Sequence, residues 1–536
     1  MKLVFVGADH EVTGSCHYLE VAGKHILVDY GMEQGVNVFE NVPLPVAESM
    51  IDYVFLTHAH VDHSGLLPLL YARGFRGQIY TTDATADLCS IMLRDCAHIQ
   101  SAEAEWKNRK AKRSANNAVV EPLYTMEDAD GVIRRFVPCH YNTIVEVCEG
   151  VKIRFTDIGH LLGSASIEVW LTEDGNTKKI VFSGDIGNKH QPLLKDPTPT
   201  KEADYVVMES TYGDRLHPKD KLDYVAELTK VLQETLDRGG NVVIPSFAVG
   251  RTQEILYFLR KIKVGRLVKG HEDFPVYVDS PLAKRATTIF CGDLRGYLDE
   301  DALALVKDGT HMFSFPGLHL TETVDESKNL NLDPSPKVII SASGMCDAGR
   351  IRHHLKHNLW RPESAVVFVG FQSPGTLGRH LLDGAESVKM FGEEIAVRAK
   401  IVNFQGLSSH ADRDHLLNWI DQFTPAKPTH VFVVHGDREV APAFAADVAE
   451  RGFAAHAPQY TEVYDLLENR IVEQGYLPEP RKKAFEGAPR VSSAYKRLAE
   501  LGDALAALIR RSQGRDNKTL ADFAESLRKI LEKFKF

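Results

Sequence analysis

The 536-residue chain is 44% hydrophobic, 25% charged and 9% aromatic, which excludes a disordered, collagen-like or coiled-coil protein and allows about three domains of roughly 150 residues. A formal net charge of −10 excludes a surface coated with basic residues for nucleic acid, though not a local basic channel. No apolar run approaches the roughly 18 residues of a membrane helix, and seven scattered cysteines without a Cys-x-x-Cys pair read as reduced thiols, so a cytoplasmic protein without membrane contact is expected.

Short strands at Leu3–Val6, Cys16–Val21, His25–Val28 and Tyr53–Leu56 are separated by Gly and Asp turns, and Met1–Val6 reads as the first strand rather than a signal peptide. An Ala-, Glu- and Lys-rich stretch without Gly or Pro predicts a long polar helix from Ala84 to about Lys112. Strands resume at Val151–Thr156, Ser166–Leu171, Lys179–Phe182 and Tyr205–Met208. After Glu209 the rhythm changes. Helices at Leu222–Leu236, Thr252–Ile262, Pro281–Phe290 and after Arg350 alternate with strands at Asn241–Pro245, Val276–Asp279, Val338–Ala342 and Ala365–Gly370. Such alternation argues for a parallel α/β sheet covered on both faces. Thr310–Pro336 reads as a turn-rich connection. Strands Val402–Phe404 and Val431–Val434 flank a helix from Arg413 to Phe423, Leu477–Pro489 reads as a linker, and Tyr495–Phe536 as a helical tail broken near Gly514.

The chemistry concentrates in Thr57-His58-Ala59-His60-Val61-Asp62-His63-Ser64-Gly65, directly after the strand Tyr53–Leu56. Three imidazoles and a carboxylate within six residues suit Zn²⁺, and two metals sharing the loop can take all four where one cannot. Asp29, His160, Asp185 and His435 each stand at a strand end beside Gly, where backbone packs closely. They are candidates to complete two coordination shells, with a structural role as the alternative for each.

In this order, Asp29, the His58–His63 loop, His160 and Asp185 resemble the ligand motifs of the metallo-β-lactamase superfamily. The resemblance implies that His58, His60 and His160 hold one metal, that Asp62, His63 and His435 hold a second, and that Asp185 bridges both. Asp29 would orient the loop by fixing imidazole tautomers. The α/β segment from about Tyr212 to Phe391, placed before His435, resembles the insertion of the β-CASP nucleases. So do Met208-Glu209-Ser210-Thr211-Tyr212-Gly213, Ser408-Ser409-His410-Ala411-Asp412 (with Ser409 where the family has Ala) and Val433-Val434-His435-Gly436-Asp437. DNA-repair members of the Artemis type usually carry an aliphatic residue at the position of His435, so histidine there favours RNA. Pro245-Ser246-Phe247-Ala248-Val249-Gly250-Arg251, Ser343-Gly344-Met345 and Gly375-Thr376-Leu377-Gly378-Arg379 look more like the cleavage and polyadenylation specificity factor nuclease than like RNase J.

The implied fold is α/β: an αββα metallo-β-lactamase sandwich over 1–210, a parallel-sheet β-CASP cap over 211–400, a closing segment of the sandwich over 401–470, and a linker with a helical C-terminal extension over 471–536. The implied function is a zinc-dependent ribonuclease with two Zn²⁺ per chain, which hydrolyses single-stranded RNA through a two-metal-activated hydroxide. It would act endonucleolytically, with 5′→3′ exonuclease activity beside that, and leave 5′-phosphate and 3′-hydroxyl ends. Besides the bridging Asp185 and the orienting Asp29, His410 would contact the scissile phosphate or protonate the leaving oxygen, with Glu209 orienting and charging it. Ser246, Gly250, Ser343, Gly344, Gly375 and Thr376 lie in turns whose N–H groups can approach phosphates, which Arg251, Arg350 and Arg379 would bind. With no KH-like domain ahead of Met1, weak sequence specificity is expected.

Three other functions compete: a DNA nuclease, a thioesterase of the glyoxalase type and a non-catalytic RNA-processing subunit. His435, the long insertion and the filled ligand positions count against them in turn. His353, His354 and His357 read as a solvated or phosphate-facing basic helix, His10, His17, His98, His140 and His217 as structural, and Cys346 as buried packing. The tail carries Lys496, Arg497, Arg510, Arg511, Arg515, Lys518, Arg528, Lys529, Lys533 and Lys535, and Leu505, Leu508, Phe523, Leu527, Leu531 and Phe534 at helical spacing. It reads as a helix pair docking on an apolar patch, with RNA contact or homodimerisation as the alternatives and its partner unnamed.

Overall fold

The computed structural model describes residues 1–35, 41–112, 119–218, 223–292, 294, 296–307, 311–404, 406–424, 426–478, 501, 505, 508–509 and 516–533. Lys496, Arg497, Arg510, Arg511, Arg515, Phe534, Lys535 and the side chain of Leu531 lie outside the described residues, as do the linker from 479 onward, Gly514, Leu222 and Thr310. Contacts divide the chain into two compact units, residues 1–104 with 121–482 and residues 105–120 with 483–536. The second unit holds the helix Asn517–Lys533, opened by Asp516, whose carboxylate accepts from Thr519 N at 2.9 Å. No described helix is long and apolar enough to cross a membrane.

In the first unit an eight-stranded sheet runs, in spatial order, Arg470–Glu473, Val463–Asp465, Lys2–Gly7, Cys16–Val21, Lys24–Val28, Tyr53–Phe55, Gln78–Thr82 and Phe136–Cys139. A seven-stranded sheet runs Ala455–His456, His430–Val434, Tyr205–Glu209, Asn176–Phe182, Ala165–Glu173, Val151–Asp157 and Val145–Cys148. Successive side chains of a strand point to opposite faces, and here both faces are apolar. Leu3, Phe5, Ile26 and Phe55 of the first sheet pack with Phe155, Ile167, Phe182 and Phe432 of the second. The alternate residues Val4, Leu27 and Val54 meet Leu67, Leu88 and Leu93 of the helices Leu67–Ala72 and Asp83–Ala111. Val181, Val206 and Val433 meet Leu416, Trp419 and Phe444 of Arg413–Ile420 and Val440–Glu450. Helix, sheet, sheet, helix is the αββα sandwich. Its decisive pairing is parallel, between Tyr205–Glu209 and His430–Val434, with Glu209 opposite Val434. A strand from far beyond the insertion thereby becomes an inner member of the sheet.

The insertion builds a six-stranded sheet in the order Leu318–Leu320, Val276–Val278, Val338–Ser341, Val242–Pro245, Ala365–Phe368, Lys400–Asn403, with every pairing parallel. Leu228, Leu256 and Ala283 cover one face of it, Ile351 and Leu355 the other. Two expectations need correcting. Among the described residues of Thr310–Pro336 stand the strand Leu318–Leu320 and the helix Val324–Leu332, opened by a capping box between Thr323 and Glu326. Val402, expected in the closing segment, lies in Lys400–Asn403, which pairs with Ala365–Phe368, so the cap sheet runs past 400; Arg470–Glu473 likewise carries the sandwich past 470. Ladder hydrogen bonds decide which sheet owns a strand, and the partner strand lies elsewhere in the chain.

Candidate metal centre

Each ligand candidate leaves the carboxyl end of a strand. Asp29 follows Lys24–Val28, His58 and His60 follow Tyr53–Phe55, His160 follows Val151–Asp157, Asp185 follows Asn176–Phe182 and His435 follows His430–Val434. Asp62 and His63 sit on a helical turn, Val61–Ser64, where a loop was expected. Asp29 and His435 adopt left-handed backbone, with φ of 61° and 50°, at a cost of roughly 1–3 kcal/mol for a non-glycine residue. The surroundings hold them there: Asp29 N donates to Phe55 O at 2.9 Å, and His435 N to Ala8 O at 2.8 Å. Gly31 permits the closest approach, since a Cβ there would fall 1.6 Å from the carbonyl oxygen of Asp62.

The side chains converge in two groups, His58, His60, His160 and Asp185 in one, Asp62, His63 and His435 in the other. His58 Nε2 and His160 Nε2 lie 3.0 and 3.1 Å from His60 Nδ1. Asp185 Oδ2 stands 3.5 Å from His58 Nε2 and 3.4 Å from His160 Nε2. Its other oxygen, Oδ1, is 3.3 Å from His63 Nε2 and 3.7 Å from His435 Nδ1. His63 and His435 face each other Nε2 to Nε2 at 3.2 Å, with Asp62 Oδ2 3.7 Å from His435 Nε2. Asp185 thus spans both groups.

The outward ring nitrogens are engaged by a second layer. Asp29 Oδ2 lies 2.7 Å from His63 Nδ1 and accepts from Thr57 Oγ1 at 2.8 Å, while Oδ1 accepts from Thr57 N at 2.8 Å. His160 Nδ1 is 3.2 Å from the Ser409 carbonyl, and His435 Nδ1 3.0 Å from Thr211 Oγ1. A proton held on the outward nitrogen leaves the inward one as a lone-pair donor.

Burial pushes the pKa values of His58, His60 and His160 down, toward the neutral form that ligates. Burial opposes charge on His63 and His435 as well, but Asp185 with Asp29 raises the first, and Asp185 with Asp62 raises the second. Burial alone would raise Asp185, yet His435, His63 and His58 hold it well below the carboxylate range. Asp185 Oδ1 is buried without a hydrogen-bond partner. A stranded carboxylate oxygen amid converging imidazole nitrogens is a donor set that a pair of divalent cations satisfies. The residues fit the metals expected of them.

Beside this centre lies His410, whose side chain is 21% exposed. Its loop is strapped to the one carrying Asp185, since Asn188 N donates to Ser409 O at 2.9 Å and Ala411 N to Ile186 O at 2.8 Å. His410 Nδ1 stands 3.4 Å from Glu209 Oε2 and 3.9 Å from Asp185 Oδ2, ion-pair distances that let Glu209 charge it as expected. Glu209 is fixed by Ile186 N at Oε1 and by Thr211 N at Oε2, the latter at 3.3 Å. Burial disfavours charge on His410, but Glu209 and Asp185 raise its pKa to about 9. His217, read as structural, holds the His410 loop through Nε2, 2.9 Å from the His410 carbonyl. Thr57, Thr211 and Ser409 were not anticipated. Thr57 heads the ligand loop and Thr211 follows Glu209, so position was a usable signal for both; Ser409 acts through its carbonyl, which residue type does not advertise.

The residues expected to meet phosphates are placed differently. Ser246 is buried and accepts from Thr252 Oγ1 at 3.1 Å. Gly250, with φ of 80°, caps the helix Arg251–Val264 and abuts Leu161, the neighbour of His160. Arg251 is buried and paired with Glu254. Arg350 donates to Asp279 Oδ1 and to Glu322 O, both at 2.6 Å. Ser343 Oγ donates to Ala348 O at 3.2 Å, and Gly344 packs under the ring of Phe247. Gly375 turns into Thr376, which caps the helix Leu377–Leu382, and Arg379 Nη2 pairs with Asp383 Oδ1 at 2.8 Å. The structure brings none of the three arginines into the two ligand groups. Each is held by a carboxylate.

Comparison with known proteins agrees with this architecture. The profile of a metallo-beta-lactamase superfamily domain matches residues 18–207, that of the Beta-Casp domain matches 252–381, and that of a Zn-dependent metallo-hydrolase RNA specificity domain matches 394–458. The chain is 37% identical over 455 residues to Ribonuclease TTHA0252 of Thermus thermophilus, covering 84% of this chain and 97% of that one. It is 31% identical to an RNase J-like protein of Methanocaldococcus jannaschii, over 83% of this chain and 95% of the relative. It is 29% identical to Transcription termination factor FttA of Pyrococcus abyssi, over 87% and 71%. With both histidine–carboxylate groups, the αββα frame and the inserted parallel sheet in place, the chain belongs to the β-CASP family of the metallo-β-lactamase superfamily and is a metal-dependent hydrolase.

Proposed function

We propose that the chain is a two-zinc ribonuclease that cleaves single-stranded RNA internally, with 5′→3′ exonuclease activity beside it, and leaves 5′-phosphate and 3′-hydroxyl ends. The observation that carries this is His435, which stands 3.2 Å from His63 and completes the second ligand group. The RNA specificity profile across 394–458 and the relative named as a ribonuclease support it. Two zinc ions held by the two groups would ionise a water at neutral pH and screen charge on the phosphoryl oxygens. The chain's own residues do the rest. Asp185 ties the groups together, Asp29 and Thr57 fix the ring of His63, and Thr211 fixes that of His435. His410, kept charged by Glu209, gives its proton to the leaving 3′-oxygen.

The proposal takes 1–210 and about 404–473 as one hydrolase domain closed around 211–403, a cytoplasmic site of action in keeping with seven free cysteines, and the tail as a docking helix pair with RNA contact or homodimerisation as its rivals. The test uses end-labelled single-stranded RNA and matched DNA with wild type, Asp185→Ala, and wild type plus chelator. Cleavage of RNA alone, by metal-loaded wild type alone, is expected. Cleavage of DNA would make the chain a DNA nuclease. Cleavage of neither would refute the reading and leave a thioesterase or a non-catalytic subunit. A 2′,3′-cyclic phosphate end would refute the role given to His410.

A further inference from the structure

We propose that Phe247 and Phe371 form a stacking platform for unpaired bases of the RNA, beside the metal centre; this rests on the ribonuclease reading. Single exposed apolar side chains are ordinary on any protein surface, and place sets these two apart. The two residues are 44% and 46% exposed, and each follows the carboxyl end of a cap strand, Val242–Pro245 for Phe247 and Ala365–Phe368 for Phe371. Those strands pair directly, Val242 with Ala365 and Val243 with Val366. Gln372 Nε2 then ties the loops together, donating to Gly344 O at 2.9 Å, Phe371 O at 3.1 Å and Gly370 O at 3.2 Å. Glycines back the ring of Phe247. A Cβ on Gly344 would fall 3.0 Å from the Phe247 ring and 3.1 Å from Phe247 N, and one on Gly370 would lie 3.9 Å from the same ring.

From this platform a row of rings leads inward. Phe371 meets Tyr212 edge to face at 6.4 Å between centroids, Tyr212 meets His410 at 5.7 Å, and His410 Nδ1 is 3.9 Å from Asp185 Oδ2. The Arg215 guanidinium lies 4.8 Å over Tyr212 and 5.7 Å over Phe371, and is also paired with Asp214 at 2.8 Å. Every nucleobase has a π-face, so flat hydrophobic rings beside a cation hold single strands without reading their sequence. Arg251 and Arg350 are paired with carboxylates inside the cap, and the rings offer a grip on the strand beside the centre.

The test uses full-length, zinc-loaded protein carrying Phe371→Leu, Phe247→Leu or both, which keep bulk and lose the π-face, and Phe371→Trp, which keeps it. Affinity for a single-stranded oligoribonucleotide should fall about 5- to 100-fold per Leu substitution, with zinc content unchanged, and Phe371→Trp should restore it. An oligoribonucleotide with abasic positions should bind wild type as weakly as intact RNA binds the Leu variants, and the substitutions should cost it nothing further. Leu variants that bind intact RNA like wild type, or that lose affinity equally for abasic RNA, would overturn the platform while leaving the ribonuclease reading standing. A wild type that neither binds nor cleaves RNA would overturn that reading, and the platform with it.

Discussion

Replacing His410 by alanine separates a proton donor from a metal ligand. The ring lies outside both ligand groups, with its nearest carboxylate contacts 3.4 Å to Glu209 and 3.9 Å to Asp185. Its loss should therefore leave the metal content of the two ligand groups unchanged. A positioned acid contributes about 10²–10⁴ in rate, roughly 2.7–5.4 kcal/mol of transition-state stabilisation, so cleavage should slow by that factor. Asp185, Glu209 and His410 also converge as a third cluster of ligating type, which gives the rival outcome. Single-turnover cleavage of end-labelled RNA, with zinc per chain measured on the same sample, decides between them. Glu209→Gln should slow the reaction by acting through His410, and adding it to His410→Ala should cost nothing more. Zinc lost together with rate would make His410 a ligand. An unchanged rate would remove it from the chemistry altogether.

Two further outcomes follow from packing. Gly31→Ala would drive a Cβ to within 1.6 Å of the Asp62 carbonyl, so the Val61–Ser64 turn must shift; zinc titration should show affinity at the second group weakened about 10- to 100-fold, and wild-type affinity would refute this. In the cap, the fully buried Asp279 accepts from Ser327 Oγ and Arg350 Nη1 at 2.6 Å, from His354 Nε2 at 2.7 Å, and from Thr321 Oγ1. Asp279→Ala strands these donors and should cost about 3–5 kcal/mol in calorimetric unfolding with zinc content unchanged; a loss below about 1 kcal/mol would refute it. Burial would raise the pKa of Asp279, but hydrogen bonds from His354, Ser327, Thr321 and Arg350 hold it well below the carboxylate range. Its contribution is therefore full above the unfolded value of about 4 and lost as pH falls toward the folded one, so wild type and variant should converge in stability on acidification.

Much of the fold was legible because its signals are local. Apolar alternation marked the strands, and Pro281–Phe290 begins and ends where Ser280, Pro281 and the following turn say it should. The ligand loop was legible because three histidines and an aspartate have few other reasons to crowd one strand end. The short helix Val324–Leu332 escaped, since it buries only Ser327 and Leu330 and so shows no apolar period; its capping box was the readable trace. The fates of Arg251 and Arg350 were not anticipated. Glu254 and Asp279 neutralise them inside the cap; i,i+3 spacing was a usable signal for Glu254, whereas nothing at Arg350 announces a partner 71 residues away.

The pairing of Tyr205–Glu209 with His430–Val434 has a consequence for the life of the chain. A copy still emerging from the ribosome, or clipped before residue 430, leaves Tyr205–Glu209 as an apolar edge with open backbone donors. That same copy lacks His435, so its first ligand group is whole and its second keeps only Asp62 and His63. Closing the sheet and completing the second ligand group therefore wait on the same strand, His430–Val434.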